Sequence, residues 1–301
     1  MGLFRLLKEN IPISDYTDDL KVLEINVPKV RDERTHLDVA PIAAEHLFAS
    51  LHGLLREEIG AQEHFSLELV STGDSIKFYV VAPGSVAKFI ESQIYAQYPS
   101  SHIVEAVDYV PKEFKHGFYK VSNLSLTKPL YYPIKSFRDF EIDPLSSITS
   151  AMTQASVGED IWLQLLVRPI SDGWQQEGYD YVTKVQEGKA GSSKSLFSDL
   201  PANIAREFGE VTSTFFKQLL GTLEDPAAMR YGGSDRVILT PEEELRIKSI
   251  ENKLSKMGFE VVIRILTHAE TEERAESLLR SATASMRQFS TSSLNSFSST
   301  I

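Results

Sequence analysis

The sequence predicts an α+β fold made of two tandem split βαβ units, the second interrupted by a helical insertion. Three observations predict it. Apolar residues recur at period two and then at spacings of three and four, in the order strand, helix, strand, strand, helix, strand. The same order begins again after Pro111. A stretch of about eighty residues, Ser171 to Lys256, carries helix signals of its own and divides the second pass. A unit of this order lays two helices on one face of a four-stranded antiparallel sheet, the ferredoxin-like arrangement. The chain then divides into a leading segment, 1–20, a first unit, 21–111, and a second, 112–301, with the insertion at about 171–256.

In the first unit, Val22 to Val27 reads as a strand and Ala40 to Glu58 as a helix. Ala40, Ala44, Leu47, Leu51, Leu54 and Leu55 form that helix's apolar stripe, and Pro41 falls in its first turn, where a missing N–H costs nothing. Phe65 to Ser71 and Ile76 to Val81 alternate strictly around Thr72-Gly73-Asp74, a hairpin signal. Pro83-Gly84 ends the second of these strands. Val86 to Tyr98 is a helix stopped by Pro99, and His102 to Tyr109 closes the unit as a strand.

In the second unit, Phe118 to Leu126 is strand-like, Pro144 to Gln154 helical, and Ile161 to Val167 a short apolar strand. Phe259 to Leu266 alternates as a strand, and Glu270 to Phe289 is a long helix with Ala275, Leu278, Leu279, Ala282 and Met286 on one side. Thr271 and the acidic first turn mark its start. A last strand is expected near Leu294 to Phe297. Within the insertion, Pro201 opens a helix capped by Asp199, and Pro241 with three glutamates opens another, through Leu254. The first of these carries Ile204, Phe208, Val211, Phe215 and Leu219, spaced 4, 3, 4 and 4. That stripe is the candidate interaction site, for a partner subunit, self-association or, less favoured because its polar side lacks a basic excess, a membrane surface. Its alternative is to fold back on Leu245, Ile250 and Leu254.

Charge narrows the function classes. The chain carries a formal −11, and residues 1–110 hold 17 acidic against 9 basic side chains. Phosphate backbones need the opposite sign, so no direct nucleic-acid contact is expected of residues 1–110. The chain has no cysteine, which excludes disulfides, thiol catalysis and cysteine-held metals. No run of about 18 apolar residues occurs, so membrane contact is at most peripheral.

No motif carries chemistry. Gly188 to Ser195 lacks the glycine of a phosphate loop, with Ser193 in its place, and reads as a linker. Lys115 to Val121 resembles an aromatic RNA-binding strand but is off by one in spacing, and half-buried strand aromatics are the better account. Asp139, Glu141 and Asp143 start like a calcium loop that lacks its glycine and closing glutamate. The histidines are scattered, and His46 and His52 sit on different helix faces, unable to share one ion. The loop from Val27 to Ala40 holds Arg31 and Arg34 but no glycine to cradle an acyl phosphate. No catalytic residue, cofactor, metal or small-molecule substrate is therefore expected.

Ala43-Ala44-Glu45-His46-Leu47-Phe48-Ala49-Ser50-Leu51-His52-Gly53 and Gln93-Ile94-Tyr95-Ala96-Gln97-Tyr98-Pro99 resemble the region before the motor domain in conjugation-type ATPases of type IV secretion systems, in versions from small-genome uncultured bacteria. Tyr131 to Lys135, Asp143-Pro144-Leu145 and Arg287 to Thr291 are similar as well. The resemblance covers nearly the whole chain and implies a non-catalytic assembly or docking region of a DNA- or protein-transfer motor. It implies partners among the subunits of that complex and a cytoplasmic place at the inner face of the membrane. The family's nucleotide-binding residues have no matching positions here. The rival from another class is a free-standing binding or regulatory module on the same double scaffold.

Overall fold

A computed structural model describes residues 19–28, 39–55, 63–111, 115–187 and 239–300. In chain order the first half contributes β1 (Leu20–Asn26), α1 (Val39–Leu51), β2 (Phe65–Ser71), β3 (Ile76–Pro83), α2 (Gly84–Gln97) and β4 (His102–Ala106). The second contributes β5 (Phe118–Leu126), α3 (Leu145–Met152), β6 (Asp160–Ile170), α4 (Gln176–Gln186), α5 (Pro241–Leu254), β7 (Gly258–Ala269), α6 (Glu272–Ser285) and β8 (Phe297–Thr300). No helix among the described residues is long and apolar enough to cross a membrane.

The fold is α+β, as expected, but the strands do not form two separate sheets. They form one sheet of eight, ordered β4-β1-β3-β2-β6-β7-β5-β8, with every neighbouring pair antiparallel. In each half the strands stand in the order fourth, first, third, second, and the halves meet through their second strands. Phe65 faces Val167 and Ser71 faces Ile161 along that β2–β6 seam. Backbone bonds of a sheet can satisfy any compatible edge, so local alternation says nothing of which strand lies next door.

Alternation does decide the two faces. Phe65 and Leu69 on β2, with Ile161, Leu163 and Val167 on β6, face the helices. One core lies under α1 and α2 and includes Leu51, Val80, Ile90 and Ile94. The other lies under α3 and α6 and includes Ile148, Met152, Leu278 and Leu279. Ser66, Glu68 and Val70 on β2, with Trp162 and Gln164 on β6, look to the opposite face, which is helix-free among the described residues. Gly73 turns the β2–β3 hairpin with φ +88, and a Cβ there would stand 2.1 Å from the Ser156 carbonyl oxygen, so the turn requires glycine.

Several boundaries differ from expectation, each for a local reason. The first helix stops at Leu51 and a single 3-10 turn follows, where Gly53 weakens the helix and His52 Nε2 meets the Ile170 carbonyl at 3.1 Å. Pro83 is the last residue of β3 and Gly84 the first of α2, with no loop between them, because the Gly84 N–H donates to the Asp19 carbonyl. β4 ends at Ala106 rather than Tyr109, since residues 107–110 leave the edge to cross the helix-free face. β8 begins at Phe297, not Leu294: buried Asn295 holds a loop there, with its amide donating to the carbonyls of Lys128, Pro129 and Tyr132.

The insertion supplies α4 and α5, which pack together over Tyr131 through Val182, Val185, Ile250 and Leu254. α4 was not expected, because its apolar positions are few among polar ones. α5 starts as read, with Thr240 and Glu243 bonding reciprocally and Pro241 in the first turn. Ile250 and Leu254, offered above as a surface for the stripe, are already covered, whereas Leu245 is 67% exposed. Ile204, Phe208, Val211, Phe215 and Leu219, the Asp199 cap and the Gly188–Ser195 stretch lie outside the described residues.

Candidate functional site

On the helix-free face the strand registers align one row of side chains across six strands: Glu24, Tyr79, Glu68, Gln164, Arg264 and Asn123. Glu68 and Gln164 are cross-strand partners at the seam itself. Their neighbours above and below, Val70, Trp162, Leu266 and Val81, are apolar and buried. A polar row set in such surroundings must find partners or lose stability.

Tyr109 supplies several of them. Its segment leaves β4 and brings the ring between Tyr79, stacked at 5.1 Å, and Trp162, edge-on at 5.0 Å. The phenol hydroxyl donates to the Glu68 carboxylate and accepts from Gln164 Nε2 at 2.9 Å. Ser66 donates to the same carboxylate. Tyr109 thus ties both halves of the sheet to the segment that joins them. Burial pushes the Glu68 carboxyl above the usual carboxylate range, against the pull of its hydrogen bonds from Ser66, Tyr109 and Gln164. Burial and the adjacent Glu68 also raise the Tyr109 phenol, so the phenol remains the donor.

A carboxyl with a raised pKa in the folded chain contributes stability that is full below its unfolded value, near 4.5, and is lost as pH rises through the folded value. Glu68→Gln is therefore expected to be more stable than the wild type at neutral pH and to vary less with pH above 4.5. Denaturant titrations at a series of pH values check this; a variant weaker than the wild type at neutral pH contradicts it.

A second buried group lies at the β6–β7 end of the face. Asp160 accepts from Lys115 Nζ at 2.7 and 3.0 Å, and His268, its cross-strand neighbour, packs against the Tyr119 ring. His268 Nε2 meets the carbonyl of His116 at 2.9 Å. These contacts fasten the start of the second half to the sheet. Lys253, on α5, sends its ammonium to the Leu130 and Tyr132 carbonyls, and burial brings it down to about 8.

The motifs weighed in the sequence take structural places. Asp139 caps a 3-10 turn by accepting from Ser136 N at 2.7 Å, and Asp143 accepts from Leu145 N at 2.9 Å, so two members of the calcium-like run are turn formers. Among the described residues no group of three His, Asp or Glu is placed to hold a metal ion. Phe118 is exposed and Tyr119 rests on His268, on a strand flanked by β7 and β8. Sequence reasoning missed the row entirely. The available signal was a polar residue in the middle of each apolar strand: Glu68 in β2, Gln164 in β6 and Arg264 in β7.

Comparison with known families gives one match, a domain of unknown function, DUF8128, over residues 26–298. That span runs from the end of β1 into β8 and so includes both halves of the sheet and the seam. No curated protein matches the chain.

Proposed function

Since the chain belongs to the DUF8128 family over both halves of its sheet, we propose that it is a non-catalytic docking region built from two ferredoxin-like units, of the kind that precedes the motor domain in type IV secretion ATPases. The observation that carries the proposal is the fused sheet. Both halves repeat the strand order fourth, first, third, second and share eight continuous strands, which makes a broad platform for subunits rather than a cleft for a substrate. The acidic groups best placed for chemistry are committed to holding that platform together: Glu68 to Ser66 and Tyr109, Asp160 to Lys115, Glu159 to Arg274. The resemblance of residues 43–53 and 93–99 to the pre-motor region supports the same reading, and both segments fall on α1, α2 and the turns that end them.

In this role the chain acts at the cytoplasmic face of the cell membrane and meets the protein subunits of the transfer complex. The test is reconstitution with the motor domain of such an ATPase encoded beside it. The expected result is a stoichiometric complex on size exclusion, with ATP turnover belonging to the motor alone. ATP hydrolysis by the purified chain, or no complex with any subunit of the system, overturns the proposal.

A further inference from the structure

Arg264 is the anomaly of the helix-free face. It stands on β7 between Ile263 and Ile265, whose side chains join the opposite core, and it is only 7% exposed. No carboxylate among the described residues lies within ion-pair distance of it. Its one hydrogen bond among the described residues runs from Nε to the neutral Asn123 Oδ1, at a long 3.4 Å. Burial lowers the proton affinity of the guanidinium, as it does for a cation without an anion beside it. Two other arginines of this half are answered, Arg168 by Glu260 and Arg274 by Glu159 at 2.8 Å. The nearest acids of the face are engaged elsewhere, Glu68 by Ser66 and Tyr109 and Asp160 by Lys115.

Gln164 is the cross-strand partner of Arg264 and is 3% exposed. It gives Nε2 to Tyr109, while its Oε1 is buried without a partner. Directly opposed residues of an antiparallel pair hold their Cβ atoms about 5 Å apart. Arg264 and Gln164 therefore leave the sheet side by side, one bringing N–H donors and the other a buried acceptor without a partner among the described residues. A charge and a polar atom left unanswered in such a place destabilise the fold, and a ligand that answers both removes the cost. Carboxylates and sulfate offer only acceptors at neutral pH. A phosphate-type anion offers oxygens to the guanidinium and a P–OH to the amide oxygen.

We propose that Arg264 and Gln164 form a binding site for a single phosphate-type oxyanion on the helix-free face of the sheet. The chain's net charge of −11 repels polyanions, so the ligand is one small anion, inorganic phosphate or a phosphomonoester taken up as its monoanion, which keeps the P–OH. The site is independent of the docking role proposed above.

Thermal unfolding of the wild type, Arg264→Met and Gln164→Leu in graded inorganic phosphate, at constant ionic strength with sulfate and chloride as references, tests it. The wild type is expected to gain about 2–4 °C in a saturable manner at tenfold excess over Kd. Arg264→Met is expected to be more stable than the wild type in chloride, because an unanswered charge is gone, and to show no saturable gain. Gln164→Leu is expected to erase the preference for phosphate over sulfate. An equal phosphate gain in wild type and Arg264→Met, or no saturable gain in the wild type, overturns the proposal. Should Arg264→Met fail to fold, broadening of the 31P line of phosphate by the wild type and its loss with Arg264→Lys decide the matter in the same sense, and equal broadening by both overturns it. Glycerol phosphate separates the sources: a gain as large as with inorganic phosphate extends the supported site to monoesters, and a gain with inorganic phosphate alone confines it to the free anion.

Discussion

Trp162→Ala is expected to destabilise the chain by about 3–5 kcal/mol, the range for emptying a buried aromatic site. Trp162 is 1% exposed and sits at the seam, facing Val70 across β2 and Leu266 across β7. Its ring also meets the edge of Tyr109, so its removal loosens the clamp that joins the halves. Trp162→Phe separates packing from polarity. The indole N–H is buried and has no partner among the described residues, so removing it forfeits no hydrogen bond. The Phe variant should lose only about 1–2 kcal/mol, through reduced volume. Urea titrations at fixed pH measure both. Equal losses for Ala and Phe would place the contribution in the N–H and contradict this account of the seam.

Asn295 is expected to be nearly as sensitive, although it lies in a loop. Its side-chain nitrogen donates to the carbonyls of Lys128, Pro129 and Tyr132 at 3.1–3.2 Å, and its oxygen accepts from Lys128 N at 2.9 Å. The residue is fully buried, so Asn295→Ala leaves several backbone groups unanswered at about 1–3 kcal/mol each before relaxation. A net loss of about 3 kcal/mol follows if water reaches some of them. Asn295→Asp should be worse than Ala, because a carboxylate then faces three carbonyl oxygens. An Asp variant more stable than the Ala variant contradicts the assigned orientation of the amide.

How far the fold was legible depended on how local each signal was. Phe65–Ser71 and Phe118–Leu126 have the bounds expected, because strict alternation next to Thr72-Gly73-Asp74, or after Gly117, marks both ends. Thr271 caps α6 as read, accepting from Arg274 N at 3.3 Å. β6 and β7 run longer than expected, Asp160–Ile170 and Gly258–Ala269, since their ends are held by pairing along nearly their whole lengths. The β2–β6 seam has no local signature at all: Leu67 and Leu165 alternate the same way whether they face each other or solvent. The polar row was illegible for the same reason. Glu68 and Gln164 look like the wet side of a two-faced strand, and what covers them is Tyr109, some forty residues from one and fifty-five from the other. α4 was hidden by composition, since a helix that buries Gly178, Val182 and Val185 alone shows a narrow stripe.

The docking role presupposes one rigid sheet rather than two units that open against each other. Native-state hydrogen exchange at the seam tests that directly. The amides of β2 and β6 that bond across the pairs from Phe65–Val167 to Ser71–Ile161 are predicted to exchange only through global unfolding, with the same free energy as those of the β1–β3 and β5–β7 pairs. Seam amides that open at distinctly lower free energy than those two pairs, or two separate thermal transitions, would mean that the halves are independent and would contradict the single platform.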